Sequence, residues 1–444
     1  MTIIAGVALA SACQDSFAPD LNNPTVPPGG VIVNPSRSQV SQLASGLLAA
    51  SRADHASYIR DLEIFGRDAY NLDNADPRWV TELLGVSPLD AGGFGGGHWL
   101  AEYRAVRSAN LLLASIATAT EGVFTAGEIA ATEGFAKTFK ALDIYHVVQS
   151  RGDAGAPVDV GQGVDDLQPI VCYDPALAEV AAILDDAAAD LESAGSSGFP
   201  FELPPGFDGF DDAASFREFN RGLAARVEIY RGNFTAALSA LSESFIDTTA
   251  PLDLGVYHSY SLQSGDVANL FFQNRNTYRA HPSVVDDAEA GDDRVAEKIV
   301  TGTALVSNSD PNVASDLVFS LYDGAEAPVP ILQNEELILL RAQANIGAGS
   351  LAEATRDINT IRVKAGGLAP RAHASLAEVL DDLLVQKRYS LLFESGSRWI
   401  DARFYGRLDQ LPLDSPDHSV HTNYPIPEDD ELARGGDIAC QTTP

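Results

Sequence analysis

The sequence predicts a mainly all-α protein: a degenerate tetratricopeptide-like helical repeat scaffold interrupted by long irregular loops. Three observations carry this reading. Apolar residues recur at helical spacing from Ser36 through most of the chain. Two separated segments share one helix–turn–helix pattern. The stretch between those segments, about 250–330, holds no sustained period. Hydrophobic residues make up 45% of the 444 residues and charged residues 20%, enough apolar material for a real core.

Taken in order, residues 1–12 form a short apolar opening, MTIIAGVALASA, that reads as a signal peptide truncated at its start. Small residues lead into Cys13 and polar QDS follows, which resembles the lipobox of a bacterial lipoprotein, so lipidation is expected at Cys13. Residues 13–35 are rich in Pro, Asn and Gly and read as an extended, lipid-anchored tether. A single domain is expected over 36–444. SRSQVSQLASGLLAASRADHASYI opens on Ser36 and places Val40, Leu43, Leu47 and Leu48 on one stripe. HWLAEYRAVRSANLLLASIATA and AGEIAATEGFAKTFKALDIYHVVQS form the next helical pair. ALAEVAAILDDAAADLESA and FREFNRGLAARVEIYRGNFTAALSALSES follow, separated by an aromatic loop over 196–212. Gly232, Phe234 and Ala237 then correspond to Gly349, Leu351 and Ala354, where alanine lets two helices approach closely. The 250–330 stretch carries Tyr257, Tyr260, Phe271, Phe272 and Tyr278, which argues for an ordered insertion. Near the C-terminus, a helix over RYSLLFESGSRWIDARFYGRL would line up Tyr389, Leu392, Phe393, Gly396, Trp399 and Ile400 on a buried seam. Glu394, Arg398 and Asp401 would form a ladder of ion pairs beside it.

The charge excludes some function classes. With 29 Lys+Arg against 62 Asp+Glu, the net charge of −33 repels polyanions, so neither nucleic acid nor an anionic membrane surface is an expected partner. AGGFGGGHW places His98 where a nucleotide-binding loop needs its third glycine. No GxSxG elbow or HExxH occurs. His418 and His421 lack a helical glutamate, and Gly291 spoils DDAEAGDD as a calcium loop. No cofactor and no metal site is therefore expected.

One stretch after another then resembles a known family. FESGSRWID at 393–401 is similar to the FEGxRWxDL motif of the SusD/RagB family of surface lipoproteins, with one extra residue. Glu335, Arg341, Ala344, Asn359 and Arg362 fill that family's upstream pattern, and YPIP at 424–427 its terminal motif. Gln386 and Ser390 stand where the family usually has glutamates. The resemblance spans most of 36–430. It implies a non-enzymatic outer-membrane lipoprotein, facing outward, that binds a glycan or peptide and delivers it to a SusC-like TonB-dependent transporter. The site it implies comes from two stretches. The loop after the first helix holds Arg67, Tyr70, Asn71, Asp73, Asn74 and Trp79, and the insertion holds Tyr257, Tyr260, Asn274, Arg275 and Tyr278. Trp79 stands in a loop, whereas Trp99 and Trp399 fall on helices and are expected in the core. A protein-interaction scaffold and an all-helical glycan-cleaving enzyme are the competing readings. With Cys13 acylated, Cys172 and Cys440 are left as an even pair, open either to a disulfide or to two inert thiols.

Overall fold

The structure is a computed structural model that describes residues 30–161 and 167–442. The signal peptide, Cys13 and the tether through residue 29 lie outside the described residues. Residues 30–35 dock on a helix: Ile32 N–H donates to Ser115 Oγ at 3.0 Å and Asn34 N–H to Thr118 Oγ1 at 3.0 Å.

Ten helices of eight residues or more build the scaffold among the described residues. The first six are α1 (Arg37–Phe65), α2 (Leu100–Ile116), α3 (Ala126–Arg151), α4 (Tyr173–Ala194), α5 (Ala213–Tyr230) and α6 (Phe234–Ser242). After the insertion come α7 (Asn334–Gly347), α8 (Leu351–Lys364), α9 (Leu376–Ser390) and α10 (Ser397–Phe404). Capping boxes start two of the longest: Ser36 with Gln39 for α1, and Thr125 with Glu128 for α3. Consecutive helices pack on one another from α2 to α6 and from α7 to α9, and α1 packs on α2 and α10. Helix α3 lies at the centre, with every residue from Ala141 to Arg151 buried.

The internal repeat is real. Gly232 and Gly349 both take left-handed backbone, φ +73° and +78°, and end α5 and α7 where a side chain would be strained. Phe234 and Leu351 then start the partner helices, and Ala237 and Ala354 are fully buried between them. The copies also meet: a Cβ on Gly347 would lie 2.2 Å from the Phe234 ring, so α7 crosses α6 at a point only glycine allows.

The insertion contains strands the sequence did not announce. These are β2 (Gly255–His258), β3 (Tyr278–Ala280), β4 (Ile299–Val306), β5 (Ala314–Phe319) and β6 (Val329–Gln333). With β1 (Ala69–Asn71) they form three antiparallel pairs: β1–β3, β2–β6 and β4–β5.

The C-terminal seam requires a correction. Tyr389, Leu392, Phe393, Trp399 and Ile400 are buried as expected, but not on one helix. The chain leaves α9 at Ser390 and passes Phe393 (φ +59°) and Gly396 (φ +67°) before α10 starts at Ser397. At Gly396 a Cβ would sit 2.6 Å from the Leu62 Cβ of α1. The break also dissolves the expected ladder. Glu394 pairs with Lys298 at 2.6 Å, Arg398 with Asp68, and Asp401 with Lys387 at 2.7 Å. At Gln386 and Ser390 the neutral side chains accept from Arg294, at 2.8 and 2.9 Å, and Asp292 supplies the carboxylate at 2.6 Å.

Cys172 and Cys440 form a disulfide, with Cα atoms 4.9 Å apart. Its setting is a small backbone bridge in which Cys172 N–H donates to the Gln441 carbonyl at 2.8 Å. No described helix is long and apolar enough to cross a membrane.

Candidate ligand-binding site

The two predicted halves of the site do meet, but they meet as packing. Strand β1 pairs with β3 so that Tyr70 faces Arg279 and Asn71 faces Tyr278. Arg67 is fully buried in left-handed backbone, and its guanidinium donates to the carbonyls of Ile64, Leu84 and Ser419 at 3.1, 3.1 and 2.7 Å. Burial lowers its pKa to about 10. The Tyr70 hydroxyl donates to Asp414 at 2.6 Å. Asn71 and Asp73 accept backbone N–H groups two residues on, turning the chain. Asn74 is exposed and bound to the backbone of Val306 and Asn308. Asn274 hydrogen-bonds back to the Leu270 carbonyl of its own short helix. Tyr278 is buried against Phe271 and Phe393. Arg67, Tyr70, Asn71 and Tyr278 therefore offer a ligand no reachable surface, a correction to the sequence expectation.

Trp79 and Arg275 keep some exposure. Trp79 is half-buried between the Phe94 ring, 4.5 Å away, and the Arg60 guanidinium, 4.6 Å above it. Arg275 lies over its neighbour Phe272 at 3.8 Å. Neither opens onto the wide cavity beside α1.

That cavity is an open cleft of about 870 Å³ on the other side of α1. The next described pockets are about 450 Å³, a polar hollow beside α7 and α8, and about 30 Å³, room for one water. The cleft is walled by Leu48 and Arg52 of α1, by the loop 202–207, by Tyr257–Ser261 and by Asp266, Glu326 and Pro328. Of the predicted site residues, Tyr257 and Tyr260 line it. The 202–207 wall belongs to the aromatic loop between α4 and α5, whose Phe207 is buried behind the cleft surface.

Local rules explain the geometry. The β2–β6 register shifts between Val256 and Tyr257, and such an irregularity re-aims the following side chain. Tyr257 is thereby half-buried, its hydroxyl accepting from Gln333 Nε2 at 3.0 Å and donating to the Asp253 carbonyl. Gly206 packs so tightly under the strand that a Cβ would lie 2.1 Å from the Tyr257 carbonyl oxygen, and its N–H donates to Ser259 Oγ at 2.9 Å. Arg52 reaches across the floor to the Ser259 carbonyl and to Asp266, with its guanidinium 5.3 Å from the Tyr260 ring centre. Desolvation is the largest single effect on the Asp266 carboxyl and pushes its pKa up, but the Arg52 guanidinium and the Val267 N–H together hold it below its ordinary value. Glu202, Asp266 and Glu326 thus face one arginine that is already paired, so the cleft is net acidic, with Tyr257 as its half-covered ring. Such a lining suits apolar faces with hydroxyl edges and repels anions.

Other sequence features prove structural. The glycine-rich run before His98 wraps the buried Arg151, which donates to the carbonyls of Gly95 at 3.1 Å and Gly97. His98 itself lies between Asp54 and Asp61 at 2.6 and 3.1 Å, and its pKa rises to about 9 although desolvation, the largest effect, opposes it. His418 pairs with Asp310, and His421 bonds the Glu82 carbonyl. Trp99 and Trp399 are in the core.

No family model and no curated protein matches the chain. Solved structures do. The chain superposes on a SusD-like carbohydrate binding protein from Bacteroides vulgatus with TM-score 0.68 at 15% identity, covering 91% of this chain and 98% of that one. A SusD-like carbohydrate binding protein from Bacteroides fragilis gives 0.68 at 12%, with 90% and 98% covered. A further SusD-like protein from Bacteroides fragilis gives 0.67 at 14%, with 90% and 96% covered. The helical scaffold and its insertion are therefore those of the SusD-like fold, over nearly the whole chain.

Proposed function

We propose that this protein is a binding protein of the SusD/RagB family that captures an oligo- or polysaccharide in the cleft beside α1. The observation that carries this is the cleft itself: about 870 Å³, open, net acidic, and presenting the half-exposed Tyr257 ring, with the edge of the largely buried Tyr260, beside hydroxyl and backbone groups. Sugars offer an apolar C–H face to a ring and hydroxyls to polar edges, and a neutral sugar is not repelled by the carboxylates. Two structural neighbours described as SusD-like carbohydrate binding proteins support the assignment.

The finer reading is that the mature chain begins at an acylated Cys13, is anchored to the outer membrane facing outward, and delivers its ligand to a SusC-like TonB-dependent transporter. The Cys172–Cys440 disulfide fits an exported chain. Binding to a panel of neutral glycans, read by calorimetry with product analysis, tests the central claim. Saturable binding abolished by blocking the cleft supports it; shortened glycans would replace it with an enzyme. For the anchor, Cys13→Ser should move the protein from the outer-membrane fraction to the periplasm. Retention of the variant in cells lacking the transporter would place the anchor elsewhere.

A further inference from the structure

Beneath the cleft wall, α1, α2 and α3 enclose a polar cluster that ligand capture does not use. Glu102 of α2 and Asp143 and His146 of α3 are at most 3% exposed, and one ligand atom from each lies within 4.8 Å of the others. Among the described residues, no donor faces either Glu102 carboxyl oxygen, Asp143 Oδ2 or His146 Nδ1, and only a proton shared between the two acids would join Glu102 to Asp143. His146 Nδ1 and Glu102 Oε1 stand 3.3 Å apart without the alignment of a hydrogen bond. Unpaired polar atoms at such depth are costly, and several converging on one point ask for a common partner.

We propose that Glu102, Asp143 and His146 bind a divalent transition-metal ion of the zinc(II) class in the scaffold interior. Two carboxylates balance the charge of a dication, which removes the cost of burying them apart. One imidazole nitrogen with two carboxylate oxygens suits zinc or manganese, whereas calcium and magnesium prefer oxygen alone. Asp143 and His146 are three apart on one helix, so both face the same side, and the acid of a neighbouring helix completes the set. Helical bundles use this arrangement for metals in their cores. The supporting shell is present as well. Ser51 Oγ donates to Asp143 Oδ1 at 2.6 Å, fixing which oxygen is free, and the Tyr58 ring stacks on His146 at 4.4 Å. Ser51 precedes Arg52, so the ion would fasten α1 directly behind the cleft floor.

The test uses the full chain. Protein is washed with chelator in native buffer, which strips ions from its acidic surface, and metal is then counted by mass spectrometry. Separate samples are unfolded in chelator and refolded with zinc, with manganese or with neither. About one tightly held ion per chain is expected, with a higher melting temperature in the metal-refolded sample. Glu102→Gln and Asp143→Asn, which keep shape, should hold no ion and melt alike with or without metal. Ser51→Ala should still fold and bind about tenfold more weakly. If wild-type protein holds neither ion after refolding, the acids share a proton instead and the proposal is wrong. If both amide variants hold metal as wild type does, the ion sits elsewhere, and the proposal is equally overturned.

Discussion

The turn between α9 and α10 and the cleft beside α1 are built from the same residue types, arginine, carboxylate and tyrosine, yet they do opposite work. In the turn region Lys387, Arg388, Glu394, Arg398 and Asp401 each have a charged partner, and the central pair is dry. Lys387 and Asp401 are each about 2% exposed and 2.7 Å apart, and Asp401 also accepts from Tyr230 at 2.9 Å. In the cleft only Arg52 and Asp266 are paired, Glu202 is exposed, and Tyr257 is left half-covered. Density of charge and rings therefore does not mark a site. What marks it is whether the groups finish their bonding among themselves or leave capacity facing solvent.

The sharpest way to break this contrast is Asp401→Ala. It strands a buried ammonium, which typically costs about 3–5 kcal/mol. The melting temperature should fall steeply while the remaining folded protein binds glycan normally. Lost binding at unchanged stability would make the turn a site after all.

Next in size is the pH dependence through His98. Its pKa rises from 6.5 to about 9 in the folded chain. The stabilisation is complete below the unfolded value and is lost as pH rises from about 6.5 through about 9. One pKa unit corresponds to about 1.4 kcal/mol, so the loss is on the order of 3 kcal/mol. Denaturant midpoints for wild type should decline across that window, and His98→Gln should flatten the decline. Equal slopes would remove the charge from His98.

The disulfide should rank third. Closing a long loop through Cys172 and Cys440 is worth about 2–4 kcal/mol in the usual range. A double serine variant should melt earlier by that amount, and denatured, unreduced protein should show neither thiol to a thiol reagent. Reactive thiols at both positions would exclude the bridge.

The smallest expected effect belongs to the cleft. Tyr257→Ala should weaken glycan binding several-fold to about tenfold, since ring stacking adds about 0.5–1.5 kcal/mol beyond buried area. Trp79→Ala should instead lower stability and leave affinity unchanged, because Trp79 packs on Phe94 and Arg60 outside the cleft. The reverse pair of results would return the site to the loop after α1.

The scaffold was legible because its signals are local. Helical stripes, the Ser36 cap and the Gly232/Gly349 turns each act over a few residues, and the structure uses them all. The β4–β5 hairpin was not legible. Most of β4 is exposed on both faces, so its apolar residues show no alternation by which to recognise a strand. Half of the site was missed for a different reason. Arg52 sits in mid-helix and Glu202 in a loop of phenylalanines, and nothing in either stretch refers to Tyr260. The Asp143–His146 spacing was visible on α3, but its third member, Glu102, comes from another helix.

The sequence alone determined the repeat grammar, the acidic character that turns away polyanions, and the buried identity of the C-terminal seam, because periodicity, net charge and apolarity are sums over neighbours along the chain. Only the tertiary structure decided which polar residues face a cavity and which are consumed by partners. Arg52 in the middle of α1 and Arg67 just past its C-terminal end are the same residue type; Arg67 is enclosed by carbonyls from residues 64, 84 and 419, whereas Arg52 spans the cleft floor. Those partners are distant in sequence, and burial and pairing are properties of the packed chain.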